Sequence, residues 1–338
     1  MSEISPQQAL LQMTTGYWLT QSIYVAAKLG IADLLKEHPK TAAELAIATN
    51  THTDSLYRLL RALASLGIFA ETEPGWFSLT PIAECLQTDV PHSLRHWAIL
   101  CGQHNYQAWG HLLHSVQTGQ PGFNHQFGID LWTYFSQNPD ASATFDAAML
   151  NLSRDLSQAI ISAYDFSGFS KLVDVGGGRG GLLFPILQAY PHLQGILFDQ
   201  PAVIEGVQQN PTPMAAGFSD RLSLIGGNFF ESVPTGGDAY LLKHIIHDWG
   251  DADCAKILTN CRTVMADKSR LLLVEAVIAP GNEPSLGKLL DLEMLAIVAG
   301  GRERTQAEYQ ALLASTNFEL VRIVPTQSAV SILEAVPN

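Results

Sequence analysis

The chain has 338 residues, 47% of them hydrophobic, enough for two domains with sizeable cores. Its net charge of −13 argues against a polyanionic partner, because nucleic-acid affinity rests on Lys and Arg neutralising phosphates. No apolar run reaches the ~18 residues that span a bilayer, and "MSEISPQQAL" lacks the basic-then-apolar order of a secretory leader, so a cytoplasmic protein without a membrane partner is expected. Cys85, Cys101, Cys254 and Cys261 form no C-x-x-C pair, which disfavours a metal cluster or disulfide framework. Cys254 and Cys261 lie two helical turns apart and read as buried free thiols.

The first stretch, "QQALLQMTTGYWLTQSIYVAAKLGIADLL", has apolar residues at helical spacing and a break at Gly30. Thr41 then caps a short helix, with Glu44 completing a capping box. A second helix is predicted over Asp54 to Leu66, burying Leu56, Leu59, Leu60 and Leu63, and "IFAE" and "WFSLT" around "TEPG" make a hairpin. Helix, turn, helix and hairpin in this order form a winged helix. From Thr41 to Gln87 it carries Arg58 and Arg61 against Glu44, Asp54, Glu71, Glu73 and Glu84, a net of −3 where a DNA reader needs a basic face. A protein–protein scaffold is therefore expected, and a DNA-binding regulator is the disfavoured alternative.

From His92 to Tyr164 the pattern is helical and aromatic-rich, with "TGQPGFNHQFG" read as a loop. Most of these aromatics are assigned to core and a minority, with Trp109 and Phe127 as candidates, to a pocket for a flat substrate. Strands and helices alternate from Leu172 onward: "KLVDV", "QGILF", "LSLIG", "AYLLKH", "RLLLVEA", then "FELVRIV" and "AVSILEAV". The last two are too close for a crossover and should pair as an antiparallel hairpin. An α/β sheet closing in this way resembles the class I methyltransferase variant of the doubly wound fold. The expected domains are a mostly helical, winged-helix-like dimerisation domain over 1–100, linking helices lining a substrate pocket over 101–165, and a cofactor-binding catalytic domain over 166–338.

Ligands in such sheets bind at the carboxyl ends of the strands. After the first strand, Gly176, Gly178 and Gly181 fit the G-x-G-x-x-G of a dinucleotide turn, while Gly176, Gly178 and Gly180 fit another spacing; the glycines alone leave both open. Asp174 beside the turn would sit badly against a diphosphate and well against an ammonium group. Asp199 suits ribose hydroxyls, or else caps the helix "PAVIEGVQQ" behind Pro201. "GGNFFESVP" offers Gly227, Asn228 and Phe229 to an adenine edge and face. Ribose, adenine, carboxylate and ammonium without phosphate describe S-adenosylmethionine.

The fourth strand gives "LLKHIIHDWGDADC", with Lys243, His244, His247, Asp248 and Trp249 at the strand-to-loop passage and Asp251 or Asp253 able to cap the next helix. His247 reads as a structural residue, a general base or, with His244, a metal ligand; lacking a further ligand cluster, no metal is expected. Trp249 either covers adenine or closes the core. Glu275 ends the fifth strand. Glu303 is a flanking acid or a first-turn helix acid, and Arg302 and Arg304 beside it read as a surface salt-bridge cluster.

The ordered set "LVDVGGGRGG", "GGNFF", "LLKHIIHDW", "LLLVE" and "DLEMLAIVAGGRERT", with "FDAAM" ahead of it, resembles the plant-type small-molecule O-methyltransferases (caffeate, flavonoid and hydroxyindole types) and their bacterial natural-product relatives, over nearly the whole chain. The resemblance implies a homodimer, Gly176, Asp199, Asn228, Phe229 and Lys243 at the cofactor, His247 as general base between Glu275 and Glu303, and Met149, Met294 and Trp249 bordering the pockets. Asp174, Gly178 and Gly227 join the cofactor set and Asp248 the pocket. The family usually has Asp at position 228; an Asn carbonyl still accepts from an adenine amine. The expected activity is methyl transfer from S-adenosylmethionine, releasing S-adenosylhomocysteine, to a phenolic or enolic hydroxyl of a small aromatic or polyketide-like acceptor. The alternatives are the same scaffold running a hydroxylation or decarboxylation, or an NAD-dependent oxidoreductase, for which no hydride-transfer constellation is visible.

Overall fold

The computed structural model describes residues 5–209 and 217–338. It divides into two compact units, Met1–Tyr106 with Pro139–Asn151, and Gln107–Asn138 with Leu152–Asn338, so that residues 101–165 are shared between them.

In the first unit helices Pro6–Thr14, Gly16–Leu29 and Ile31–Leu34 follow one another, and Gly30 takes φ 68 between the last two. Thr41 and Glu44 form the expected capping box on helix Ala42–Thr49, and helix Thr53–Ser65 buries Leu56, Leu60 and Leu63, with Leu59 only half-buried. The hairpin pairs β2 (Phe69–Glu73) with β3 (Trp76–Leu79), and a short β1 (Lys40–Thr41) adds a third strand against β3. The winged-helix grammar is thus present in full. The chain continues through helix Arg95–Leu100 into a π-helical turn at Cys101–Asn105.

The second unit contains a seven-stranded sheet. Its strands are β4 (Lys171–Val175), β5 (Gln194–Asp199), β6 (Leu222–Gly226), β7 (Ala239–Lys243), β8 (Arg270–Glu275), β11 (Phe318–Pro325) and β12 (Ser331–Pro337). Their order is β11-β12-β8-β7-β4-β5-β6, parallel from β8 to β6, with β12 antiparallel to both β8 and β11. The predicted hairpin therefore closes the sheet. Central strands read as continuous apolar runs because both faces are covered: Leu172, Leu197, Leu241 and Leu272 lie in one core, Val173, Tyr240, Leu242 and Leu273 in the other. Strand order reverses at β4, so its carboxyl end and that of β7 open the crevice where doubly wound sheets bind ligands.

One expectation needs correction here. "TGQPGFNHQFG" is not all loop: Gly122–Phe127 is a helix. Pro121 leads into it, Gly128 (φ 75) ends it, and Phe123 and Phe127, one turn apart, pack with ring centroids 4.5 Å from each other. Gly122 is needed because a Cβ there would meet the Ala108 carbonyl at 2.4 Å. The helix after the glycine turn spans Leu183–Ala189. A further pair was not foreseen: β9 (Val277–Ile278) and β10 (Arg304–Thr305) run parallel, with Arg304 opposite Val277.

Candidate active site

The glycine turn leaves β4 with Gly176, Gly178 and Gly180 at φ 72, 58 and 79, while Gly181 is not left-handed; the 176/178/180 spacing is the one the backbone uses. A side chain at Gly176 would meet Ile245 Cδ1 at 2.4 Å, and one at Gly180 the Phe184 ring at 2.3 Å, whereas Gly178 faces open space. Asp174 lies under this turn, 2% exposed, accepting from the Leu183 backbone N–H. Burial pushes its carboxyl up to about 7, against the pull of Lys243. Asp199 ends β5 and binds the turn: Oδ2 accepts from Gly178 N–H at 2.7 Å and Oδ1 from Gln200 N–H at 2.7 Å. Burial raises its pKa too.

Gly227 donates its N–H to the Asp199 carbonyl at 2.9 Å and has no room for a side chain beside the Phe198 ring. Asn228 is exposed; its Oδ1 accepts from Phe230 N–H at 3.0 Å and its Nδ2 donates to Glu231 Oε1 at 3.1 Å. Phe229, Phe230 and Trp249 meet edge to face, with centroids 4.7–6.1 Å apart, and Trp249 stacks on Trp132 at 6.2 Å. Lys243 ends β7; burial lowers its pKa, opposed by Asp174, Glu275 and Asp248.

Beyond Lys243 the chain makes a left-handed turn at His244 (φ 53) and a 3₁₀ turn over Ile246–Asp248. Glu275, wholly buried, fixes this turn: its Oε1 accepts from Ile245 N–H at 3.0 Å and Ile246 N–H at 2.8 Å. Its Oε2 faces His247 Nδ1 at 3.7 Å. Glu303 Oε1 accepts from the same Nδ1 at 2.8 Å, and Asp248 Oδ1 lies 3.5 Å from Nε2. Burial lowers the His247 pKa, but Glu275, Asp248 and Glu303 outweigh it and lift it to about 10, so this is not an imidazole of ordinary acidity. Burial in turn pushes Glu275 up to about 7 and Asp248 to about 6. The β9–β10 pairing brings the two glutamates together, because Glu303 directly precedes β10 as Glu275 all but precedes β9.

Donor atoms of His247, Glu275 and Glu303 lie within 4.8 Å of one another, yet Nδ1 is already spent on Glu303. The rings of His244 and His247 are parallel, 5.0 Å apart at 10°, so their in-plane lone pairs run side by side rather than converging on one ion.

Arg304 corrects the surface salt-bridge expectation: it is 1% exposed. Its Nη1 donates to the Ile246 carbonyl at 2.9 Å, and its Nη2 to the Trp249 carbonyl at 2.9 Å and to Asp251 Oδ1 at 2.7 Å, fastening the loop that carries His247. Only Arg302 is exposed, paired with Glu308. Asp251 and Asp253 stand in the first turn of helix Asp251–Val264, whose N-cap is Gly250. Glu303 is not a first-turn acid, since Thr305 and Glu308 cap the following helix. Sequence reasoning also missed Asp291, whose Oδ1 accepts from Glu303 N–H at 2.9 Å, and the role of "GG": a Cβ on Gly301 would come within 3.0 Å of the His247 carbonyl.

Of the pocket candidates, Met294 is buried in helix Leu286–Ile297, where neighbouring Glu293 accepts from Trp109 Nε1. Phe127 packs on Phe123 and on Tyr134 at 4.9 Å. Asp248 is 16% exposed beside His247. Met149, half-buried on the long helix Pro139–Ala163, belongs to the other unit. A surface hollow of about 540 Å³ lies at the opposite, amino edge of the sheet, lined by Lys171, His192, Gln194 and Asp238, and holds none of these residues.

The cleft fits an adenosyl amino acid. It offers a glycine turn with an open side at Gly178, a partly buried carboxylate at the end of β5, an aromatic cluster at the end of β6, and a buried acid beside Lys243 beneath the turn.

Residues 11–89 match the O-methyltransferase dimerisation domain and residues 109–319 the O-methyltransferase domain. The phenazine O-methyltransferase PhzM of Lysobacter antibioticus is 46% identical over 328 residues, covering 97% of this chain and 95% of that protein. The crystal structure of LaPhzM superposes with a TM-score of 0.96 at 45% identity, over 99% of this chain and all of that one. That of the O-methyltransferase NcsB1 from neocarzinostatin biosynthesis, in complex with S-adenosyl-L-homocysteine and 1,4-dihydroxy-2-naphthoic acid, has a TM-score of 0.81 at 32% identity, over 95% and 96% of the two chains.

Proposed function

The chain belongs to the S-adenosylmethionine-dependent O-methyltransferase family, and from that premise we propose that it methylates a phenolic or enolic hydroxyl of a small aromatic or polyketide-like metabolite, with His247 handling the proton. When bound, S-adenosylmethionine supplies an electrophilic methyl on its sulfonium. Gly176 and Gly178 would hold its amino-acid end over Asp174 and Lys243, Asp199 its ribose, and Gly227, Asn228, Phe229 and Trp249 its adenine. Trp109, Phe127, Asp248 and Met294 are assigned to the acceptor.

The observation that carries this reading is the His247 imidazole at the end of β7. Its Nδ1 is held by Glu303 at 2.8 Å and backed by Glu275, and Nε2, with Asp248 Oδ1 3.5 Å away, is the nitrogen that would meet an acceptor oxygen. With a pKa near 10 the ring is an imidazolium at neutral pH, and a phenol has a pKa of about 10 as well. The reactive pair is therefore the one that has lost a single proton, either neutral His247 with phenol or imidazolium with phenolate. The two share one protonation state and one pH dependence. Matched acidities make the proton transfer near-thermoneutral, and the three carboxylates stabilise the ring's positive charge. Holding oxygen and methyl in line supplies the rest.

Incubation with S-adenosylmethionine and a phenolic acceptor panel, followed by mass spectrometry, tests the reading. A product heavier by one methyl is expected, and His247→Ala should lower kcat by roughly 10²–10⁴-fold while S-adenosylhomocysteine still raises the thermal midpoint. Cofactor turnover to a product without added methyl would favour the hydroxylase or decarboxylase reading. A homodimer is part of the proposal: beside the dimerisation-domain match, Leu10, Leu11, Met13 and Trp18 are 61–77% exposed. Light scattering on the purified chain checks it.

A further inference from the structure

We propose that His244 is a positioning residue for His247: its ring lies flat on the imidazole and fixes the direction in which Nε2 points. This rests on the role given to His247 above.

The first support is the backbone. His244 sits at φ 53, a region that costs any residue with a Cβ, and its N–H is held by the Val274 carbonyl at 3.1 Å. Side chains of neighbouring residues normally diverge at a strand end. Here the left-handed turn folds the chain back so that residues 244 and 247 stack, with centroids 5.0 Å apart and planes 10° from parallel. A strained conformation maintained beside reactive groups points to a use for the side chain it delivers.

The second support is what the carboxylates leave undone. Glu303 and Glu275 both address Nδ1, at one edge of the His247 ring, and Asp248 Oδ1 stands 3.5 Å from Nε2, longer than a hydrogen bond that would fix it. The short bond at Nδ1 acts as a hinge, about which the ring can turn and carry Nε2 with it. A flat neighbour on one face removes that swing. The charges suit a neutral stacking partner. Burial chiefly, and then Lys243 and His247 on its own segment, oppose a proton on His244, while Glu275 from β8 and Glu303 from the segment ahead of β10 direct their charge at His247. A neutral ring against an imidazolium is the favourable pairing of the two histidines.

The experiment compares His244→Ala, His244→Gly and His244→Phe for kcat, KM, S-adenosylhomocysteine affinity and the titration of His247 followed by ¹⁵N imidazole NMR. His244→Ala should lose about 10- to 100-fold in kcat, the scale of a misplaced catalytic group, with KM and product affinity changed less than about twofold. His244→Gly, which relieves the left-handed backbone, should be as impaired in kcat, separating ring from strain, and it folds even where the alanine variant does not. His244→Phe, which keeps a flat uncharged face, should recover most of the loss and leave the His247 titration in place, whereas in Ala and Gly that titration moves. Wild-type kcat and His247 titration in His244→Gly overturn the proposal; so does a phenylalanine variant as impaired as the alanine one, since that assigns the role to the ring nitrogens. If His247→Ala itself keeps full activity, the functional reading fails instead, and the NMR comparison still reports whether His244 orients the ring.

Discussion

Replacing Glu303 by Gln tests the electrostatics of the site most directly. The amide keeps an acceptor oxygen for Nδ1–H of His247, so the 2.8 Å bond can survive while the charge is lost. Unit charges about 4 Å apart at an effective dielectric near 20 interact by about 4 kcal/mol, and one pKa unit is about 1.36 kcal/mol, so about three units is the upper limit on the fall at His247. The drop from about 10 should be smaller than that limit, because Glu275 and Asp248, which raise the pKa more, stay in place. The assay is kcat/KM for a phenolic acceptor from pH 6 to 10.5. The wild type should climb about tenfold per pH unit and level off only near 10; the variant should level off at lower pH and at a lower plateau. The sign for stability runs the same way. A raised histidine pKa contributes stability that is complete below its unfolded value near 6.5 and lost as pH rises through about 10, so urea midpoints of the wild type should drop across that window and those of Glu303→Gln should drop less. A wild-type profile already flat above pH 7.5, or a midpoint unmoved by the substitution, would refute the claim that these carboxylates hold an imidazolium.

Asp174, pushed up to about 7, is neutral below that pH, so S-adenosylhomocysteine should bind up to about tenfold more tightly at pH 8 than at pH 6 by calorimetry, and Asp174→Asn should flatten the dependence. Gly176→Ala places a methyl 2.4 Å from Ile245 Cδ1 at a φ of 72; a lower thermal midpoint and loss of the stabilisation by S-adenosylhomocysteine are expected. Arg304→Met leaves the Ile246 and Trp249 carbonyls with only weak donors, the Cys254 thiol chief among them, and Asp251 without its guanidinium, which at about 1 kcal/mol for each lost hydrogen bond should show in urea denaturation, and Arg304→Lys should not restore it, because a single ammonium cannot reproduce the fork.

What the sequence made legible and what it withheld divide along one physical line. Strand β4 and the turn after it are local: a continuous apolar run, then glycines where the backbone turns left-handed, so their place is written in a few consecutive letters. The capping box of Thr41 and Glu44 is equally local. Helix Gly122–Phe127 was hidden because its Gly and Pro, which usually signal a loop, serve here as entry, exit and close approach. The acidity of His247 was hidden for another reason. It is set by Asp248, Glu275 and Glu303, the last two far apart in sequence, and they meet only because the two-residue strands β9 and β10 pair in one register. Sliding that register by one residue would replace Glu303 with Arg302 or Arg304 and reverse the sign of the field. Buried Arg304 prevents the slip, since its hydrogen bonds to the Ile246 and Trp249 carbonyls and Asp251 form in one alignment only. Hence "GGRER" reads as a polar turn in sequence and acts as a clamp in space: Gly300 lets the backbone pass Gly250 and Gly301 the His247 carbonyl, Glu303 adds a charge at Nδ1, and Arg304 fixes where that charge stands.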